Sequence, residues 1–87
     1  MTYFIYMIEV IAKDGSSSLY TGYTNNLVRR FNEHAADLGA QYTKGRTKLT
    51  IVHFESFATQ VEAMNRERVI KSLSRKKKLQ LVDSDIA

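Results

Sequence analysis

The sequence predicts a small α/β (α+β) fold, a three-stranded antiparallel sheet flanked by helices in the order β-β-α-β-α-α. Three observations predict it. Two aromatic and β-branched runs flank an Asp-Gly turn, helically spaced apolar residues follow an asparagine pair, and a capping box opens a second helical stretch. The 87 residues fit one domain over 1–87, with an ordered core over about 3–82 and a loose tail over 83–87.

Residues 3–10 are rich in aromatic and β-branched side chains and are apolar on both faces, as a strand in the interior of a sheet requires. Residues 13–17 supply turn chemistry around Asp14-Gly15, and a second strand over 19–23 pairs antiparallel with the first. Gly22 is read as the end of that strand, where a missing side chain allows close approach. Asn25 or Asn26 caps a helix whose stripe is Leu27, Phe31, Ala35 and Leu38, with Gly39 as its left-handed terminator. A polar loop over 39–48 leads to a third strand over 49–54. Thr59 with Glu62 three residues later forms a capping box, so a helix runs over 60–73. Ser74 offers a new cap for a short helix over 75–82.

Cysteine is absent, which removes disulfides, thiolate nucleophiles, zinc–cysteine sites and iron–sulfur clusters from consideration. It is consistent with a reducing, cytoplasmic setting. The apolar opening has no basic leader, is interrupted by Glu9 and is too short to span a bilayer, so it reads as a strand and no membrane partner is expected. Thirteen Lys and Arg against nine Asp and Glu give a net charge of +4 and point to a polyanionic partner. The cations cluster at Arg29 and Arg30, at Lys44, Arg46 and Lys48, and at Lys71 with Arg75, Lys76, Lys77 and Lys78. No exposed apolar patch suited to a protein partner is legible.

Glu67 is the most informative single residue, because helical spacing puts its carboxylate on the face that holds Ala63 and Ile70. A carboxylate there needs a cation or a metal, and Lys71 one turn on is the plainer partner. Arg30 and His34, also one turn apart, can both touch one phosphate or form an ordinary solvated face. His53 reads as structural, with no carboxylate at ligand spacing. Tyr6 and Tyr20 sit on strands expected to pair; each is either packing with a satisfied hydroxyl or a candidate acid–base group. Four cations at Arg75, Lys76, Lys77 and Lys78 oppose the dipole at a helix start, a mismatch that a bound phosphate resolves and bulk water also tolerates.

Together these positions resemble the GIY-YIG nuclease family, particularly its small stand-alone members, over about residues 3–82. Phe4-Ile5-Tyr6 and Tyr20-Thr21-Gly22 correspond to the two namesake motifs. Residues 24–34 resemble the family's first helix, with Arg30 at the arginine position and His34 at its companion histidine. Residues 39–46, which contain Tyr42, resemble the loop of the stand-alone subgroup, Glu67 matches the metal-binding glutamate, and residues 73–78 match the subgroup's C-terminal run. Phe4 stands where the family has its first glycine, and Thr21 where it has the middle isoleucine. Thirteen residues separate Tyr6 from Tyr20, slightly more than is usual in the family.

The resemblance implies hydrolysis of DNA with Mg²⁺ or Mn²⁺ held by Glu67. It implies phosphate binding by Arg30, handling of the attacking water by Tyr6 with Tyr20, and proton relay or phosphate contact by His34. Lys44, Arg46, Lys71, Arg75, Lys76, Lys77 and Lys78 would grip flanking phosphates of branched, nicked or single-stranded DNA. The alternative is a non-catalytic nucleic-acid-binding module on the same fold.

Overall fold

Aromatic and β-branched residues build three strands, β1 (Tyr3–Ile11), β2 (Ser17–Thr24) and β3 (Lys48–Phe57), all paired antiparallel in the order β2-β1-β3. Three helices complete the order β-β-α-β-α-α: α1 (Leu27–Gln41), α2 (Gln60–Ser72) and α3 (Arg75–Ser84). The computed structural model describes the backbone of residues 1–12, 14–41 and 48–84 and, within these, the side chains outside 37–41 and 84. None of its helices is long and apolar enough to cross a membrane.

The doubly apolar first strand takes the centre of the sheet, as its pattern requires. Ile5 and Met7 face α2 and join Ala63 and Ile70 in a fully buried cluster, against which Tyr23, Phe57, Leu81 and Val82 pack. Tyr6 and Ile8 alternate to the opposite face and are also buried. The turn between β1 and β2 uses Gly15 at φ 88°, with Asp14 Oδ1 accepting from the Ser16 backbone N–H at 2.9 Å.

Caps set the helix starts. Asn26 Oδ1 accepts from the Arg29 N–H at 3.1 Å, so the second of the two asparagines is the cap. The Thr59 hydroxyl accepts from the Glu62 N–H at 3.3 Å and donates to Glu62 Oε1 at 2.8 Å. Ser74 Oγ accepts from the Lys77 N–H at 3.3 Å.

Four sequence expectations about the elements and the surface change. Gly39 does not end α1, which continues to Gln41: an isolated glycine costs a helix only about 1 kcal/mol and does not stop it without a left-handed turn. Gly22 lies inside β2, not at its end, because β2 pairs with β1 along the whole of Phe4 to Ile11. For the same reason β3 runs past Phe54 to Phe57. The fourth concerns the surface: α1 and β3 enclose an apolar cleft of about 640 Å³ lined chiefly by Leu27, Val28, Phe31, Ile51, Val52 and Phe54, with Val28 and Phe54 exposed. Its residues come from distant segments, so no local run announces it. Residues 85–87 of the expected tail lie outside the described residues, and α3 reaches Ser84.

Buried Thr21 carries the one side-chain oxygen without a hydrogen-bond partner among the buried polar atoms described. It stands where the resembled family has isoleucine, and an unpaired hydroxyl of this kind costs about 1–3 kcal/mol.

A polar cluster ties α2 to β3. Arg66 donates Nε to Glu55 Oε1 at 2.9 Å and Nη2 to Glu55 Oε2 at 3.1 Å, a two-pronged contact. His53 Nε2 lies 2.7 Å from the same Oε2. This corrects the reading of His53 as lacking a carboxylate: residues two apart on a strand share a face. Burial pushes the Glu55 carboxyl up, but the hydrogen bonds from Arg66 and His53 outweigh it and hold the group below the usual carboxylate range.

A carboxylate whose native pKa is depressed adds stability above its unfolded value, and that contribution fades as pH falls through the native value. Urea unfolding followed from about pH 7 down to about pH 3 therefore shows a stability gap between wild type and Glu55→Gln that closes toward the acid end. A gap that stays constant across the series contradicts the assignment.

Candidate functional site

The site begins with one ring and one missing side chain. Tyr6 pairs across the strands with Gly22, and its ring lies over that glycine. A Cβ at position 22 would stand 2.5 Å from the Tyr6 hydroxyl oxygen and 2.7 Å from Cζ, so only glycine leaves room for the ring. The phenol thus extends from the central strand over β2, an edge strand.

Helix α1 meets it there with two side chains from successive turns. His34 Nε2 lies 2.9 Å from the Tyr6 hydroxyl, and the Arg30 guanidinium hydrogen-bonds the same phenol. Arg30 also pairs with Glu33 at 3.2 Å and is 38% exposed, so it remains open to a ligand from solvent. Glu33 is a site neighbour that the sequence reading misses, although its place three residues after Arg30 is the ordinary helical pairing distance. Tyr20 completes an aromatic corner: its ring centroid is 4.7 Å from that of His34 and 6.4 Å from that of Tyr6.

Glu67 approaches from α2, on the other face of the sheet. Its charge acts on the Tyr6 hydroxyl, pushing the phenol's ionisation upward. The carboxylate is 20% exposed and its Oε1 is 3.5 Å from Lys71 Nζ, the plainer partner read from the sequence. The contact seen for Glu67 is thus the ion pair within one helix, and its charge is also felt at the Tyr6 hydroxyl.

Burial is the largest influence on Tyr6 and raises its pKa. The Arg30 hydrogen bond works against this, and Tyr20 and Glu67 add to it. The net shift is upward, so the phenol is neutral at physiological pH. The Arg30 guanidinium is held in its charged form by the Tyr6 and Glu33 contacts.

The donor chemistry suits a hard cation. Mg²⁺ keeps several waters and commonly takes only one or two carboxylates, which matches a single, partly exposed Glu67. No group of three or more His, Cys, Asp or Glu side chains that could together hold a metal ion is gathered among the described residues.

Of the predicted positions, Tyr6, Tyr20, Gly22, Arg30, His34 and Glu67 are thus brought together. Arg75 Nη2 donates to Ser17 Oγ at 2.9 Å, which places the start of α3 beside the start of β2. Lys76 and Lys77 are exposed and Lys78 is half-buried. Tyr42, Lys44 and Arg46 lie outside the described residues.

Comparison with known proteins bears on the same residues. The family model described as the GIY-YIG catalytic domain matches residues 2–80. A UPF0213 protein of Haloquadratum walsbyi is 47% identical over 81 residues, covering 93% of this chain and 86% of its own. A UPF0213 protein of Clostridium perfringens is 49% identical over 74 residues, covering 85% of this chain and 80% of its own. Among solved structures, the solution NMR structure of a UPF0213 protein from Bacillus halodurans aligns with a TM-score of 0.55 at 43% identity, covering 95% of this chain and 84% of that one. None of these names states an activity.

Replacing Gly22 with alanine forces the Tyr6 ring off β2. The expected outcome is a loss of about 1–3 kcal/mol in chemical unfolding, the usual range for overpacking, with displaced NMR signals from the Tyr6 and His34 rings. Unchanged stability together with unchanged ring signals contradicts the close approach.

Proposed function

Because this chain belongs to the GIY-YIG family, matching its catalytic domain over residues 2–80, we propose that it is a single-domain endonuclease hydrolysing phosphodiester bonds in DNA. The family consists typically of nucleases that generally use a divalent metal. For this chain the reading is Mg²⁺ or Mn²⁺ at Glu67 and target choice by DNA structure, such as branched, nicked or single-stranded forms, in the cytoplasm. The observation that supports it best is the meeting of a phenol from β1, an imidazole and a guanidinium from α1 and a carboxylate from α2 near the β2 edge.

Arg30, charged and partly open to solvent, donates to the non-bridging oxygens of the scissile phosphate and stabilises the charge that accumulates as the nucleophile arrives. Tyr6 acts as a neutral relay. His34 Nε2, 2.9 Å from the hydroxyl, is within reach of the phenol proton and accepts it in the tautomer that carries the ring proton on Nδ1. A water held against Tyr6 then passes a proton to the phenol oxygen while the phenol proton moves to His34. The resulting hydroxide attacks phosphorus, and the leaving oxygen takes its proton from solvent. Tyr20 packs against His34 and keeps the imidazole in line. A divalent cation on Glu67, when bound, supplies Lewis-acid polarisation of the phosphate and stabilises the leaving oxygen.

The basic start of α3, set beside β2 by Arg75, holds flanking phosphates without reading bases. Lys71, at the far end of α2, and the cations Lys44 and Arg46 would extend that grip.

The direct test is cleavage of a panel of DNA structures with Mg²⁺ or Mn²⁺. Glu67→Ala abolishes turnover with the circular dichroism of the fold retained. Arg30→Ala lowers the rate by about 10²–10³-fold, and Tyr6→Phe by about 10²–10⁴-fold. Binding to DNA with no turnover under any metal supports the non-catalytic module instead, and cleavage that survives in both Glu67→Ala and Arg30→Ala refutes this site.

Affinity for duplex DNA falls with salt, and replacing Lys76 and Lys77 with glutamine reduces the log–log slope by about 0.9 for each phosphate no longer neutralised. A slope unchanged in that variant removes α3 from the interface.

A further inference from the structure

The cluster of Arg66, Glu55 and His53 lies on the opposite side of α2 from the candidate site and has no part in the chemistry above. Its position next to Glu67 in the chain gives it a mechanical relation to the site. Ala63 and Ile70 are seven residues apart, and at 3.6 residues per turn they point in nearly the same direction, within about 20°. Both are fully buried and form the line along which α2 rests on the sheet. Arg66 and Glu67 then project about 50° to either side of that line. Arg66 leans toward β3, where it meets Glu55, and Glu67 leans toward β2 and Tyr6.

The buried side chains of α2 are one methyl group and one isoleucine. Its exposed Gln60 Nε2 reaches the Tyr23 hydroxyl of β2 only at a long 3.5 Å, so these contacts resist a roll of the helix about its own axis weakly. With side chains reaching about 5–6 Å from that axis, a roll of about 10° displaces a side-chain end by about 1 Å. A misplacement of that size in a catalytic group is enough to cost about 10²-fold in rate. The ion pair of Glu67 with Lys71 cannot prevent the roll, because both residues lie on α2 and turn with it. The two-pronged contact of Arg66 with Glu55 can, since it joins α2 to β3 at a fixed angle. Buried His53 holds the receiving carboxylate from the same strand.

We infer that the Arg66–Glu55–His53 cluster is a positioning clamp that sets the roll of α2 on the sheet and thereby aims the Glu67 carboxylate at the Tyr6 hydroxyl. The clamp acts through Glu67 and touches neither substrate nor metal. Its consequence for metal binding rests on the nuclease reading above; its effect on the orientation of Glu67 does not.

The test uses Arg66→Lys and Glu55→Gln, which keep the cation on α2 but lose the matched fork, and Arg66→Met, which loses it entirely. The carboxyl-carbon NMR signal of Glu67 is followed in metal-free protein, and Mn²⁺ affinity is followed by electron paramagnetic resonance. The clamp predicts a displaced Glu67 signal in all three variants. It also predicts Mn²⁺ affinity lowered by about tenfold in Arg66→Met and by less in Arg66→Lys, the range seen when residues supporting a metal ligand are removed. A Glu67 signal that stays in place in folded Arg66→Lys and Glu55→Gln overturns the clamp. A signal that moves, in a protein whose wild type binds no Mn²⁺ through Glu67, upholds the clamp and overturns the metal assignment.

Discussion

The site depends on the passage of the Tyr6 ring across the bare backbone of Gly22. Tyr6 belongs to the central strand, which is covered on both faces, and a hydroxyl rooted there would ordinarily end in the core. Crossing an edge strand with no side chain in the way carries it to the border where α1 and α2 approach from opposite faces. Any side chain at position 22 would stop the ring short. Arg30 and His34 on one helix and Glu67 on another would then have no common group to face.

The same passage decides the electrostatics. Burial disfavours the phenolate and is the largest influence on Tyr6, while the Arg30 hydrogen bond, the strongest opposing influence, does not overcome it. Tyr6 is therefore suited to handing a proton on and unsuited to holding a negative charge, which is why His34 on the far side of the hydroxyl matters. Glu67 reinforces the neutral state. Placed against a second carboxylate the arrangement would be unstable; placed against a neutral phenol it leaves one anionic group to attract a cation and one cationic group, Arg30, to attract a phosphate.

Local chemistry is legible in the sequence and cross-strand geometry is not. The Asn26 cap and the Thr59–Glu62 box each act within four residues, so α1 and α2 begin where their own segments say they should. Strand β2 instead begins at Ser17, ahead of the expected residue 19, because its pairing with β1 extends to Ile11. Gly39 misleads because a glycine at the end of an apolar stripe looks like a stop, whereas the helix tolerates it and continues to Gln41. Gly22 looks like a strand end because the ring that makes it necessary is anchored sixteen positions earlier. The match of Tyr6, Arg30, His34 and Glu67 to a family pattern names residues that the fold brings together. It cannot name Glu55 and Arg66, whose contact joins a strand to a helix and leaves no signature in either segment. The apolar cleft between α1 and β3 escapes for the same reason.

The central claim, that one phosphate is gripped where these elements meet, is tested most directly by a crystal structure with a short DNA carrying a non-hydrolysable phosphorothioate and Mn²⁺. The account predicts the modified phosphate within hydrogen-bonding distance of the Arg30 guanidinium and beside the Tyr6 hydroxyl, with the cation on Glu67. A DNA backbone that instead runs along the α1–β3 cleft, with Tyr6, Arg30 and Glu67 facing solvent, contradicts it.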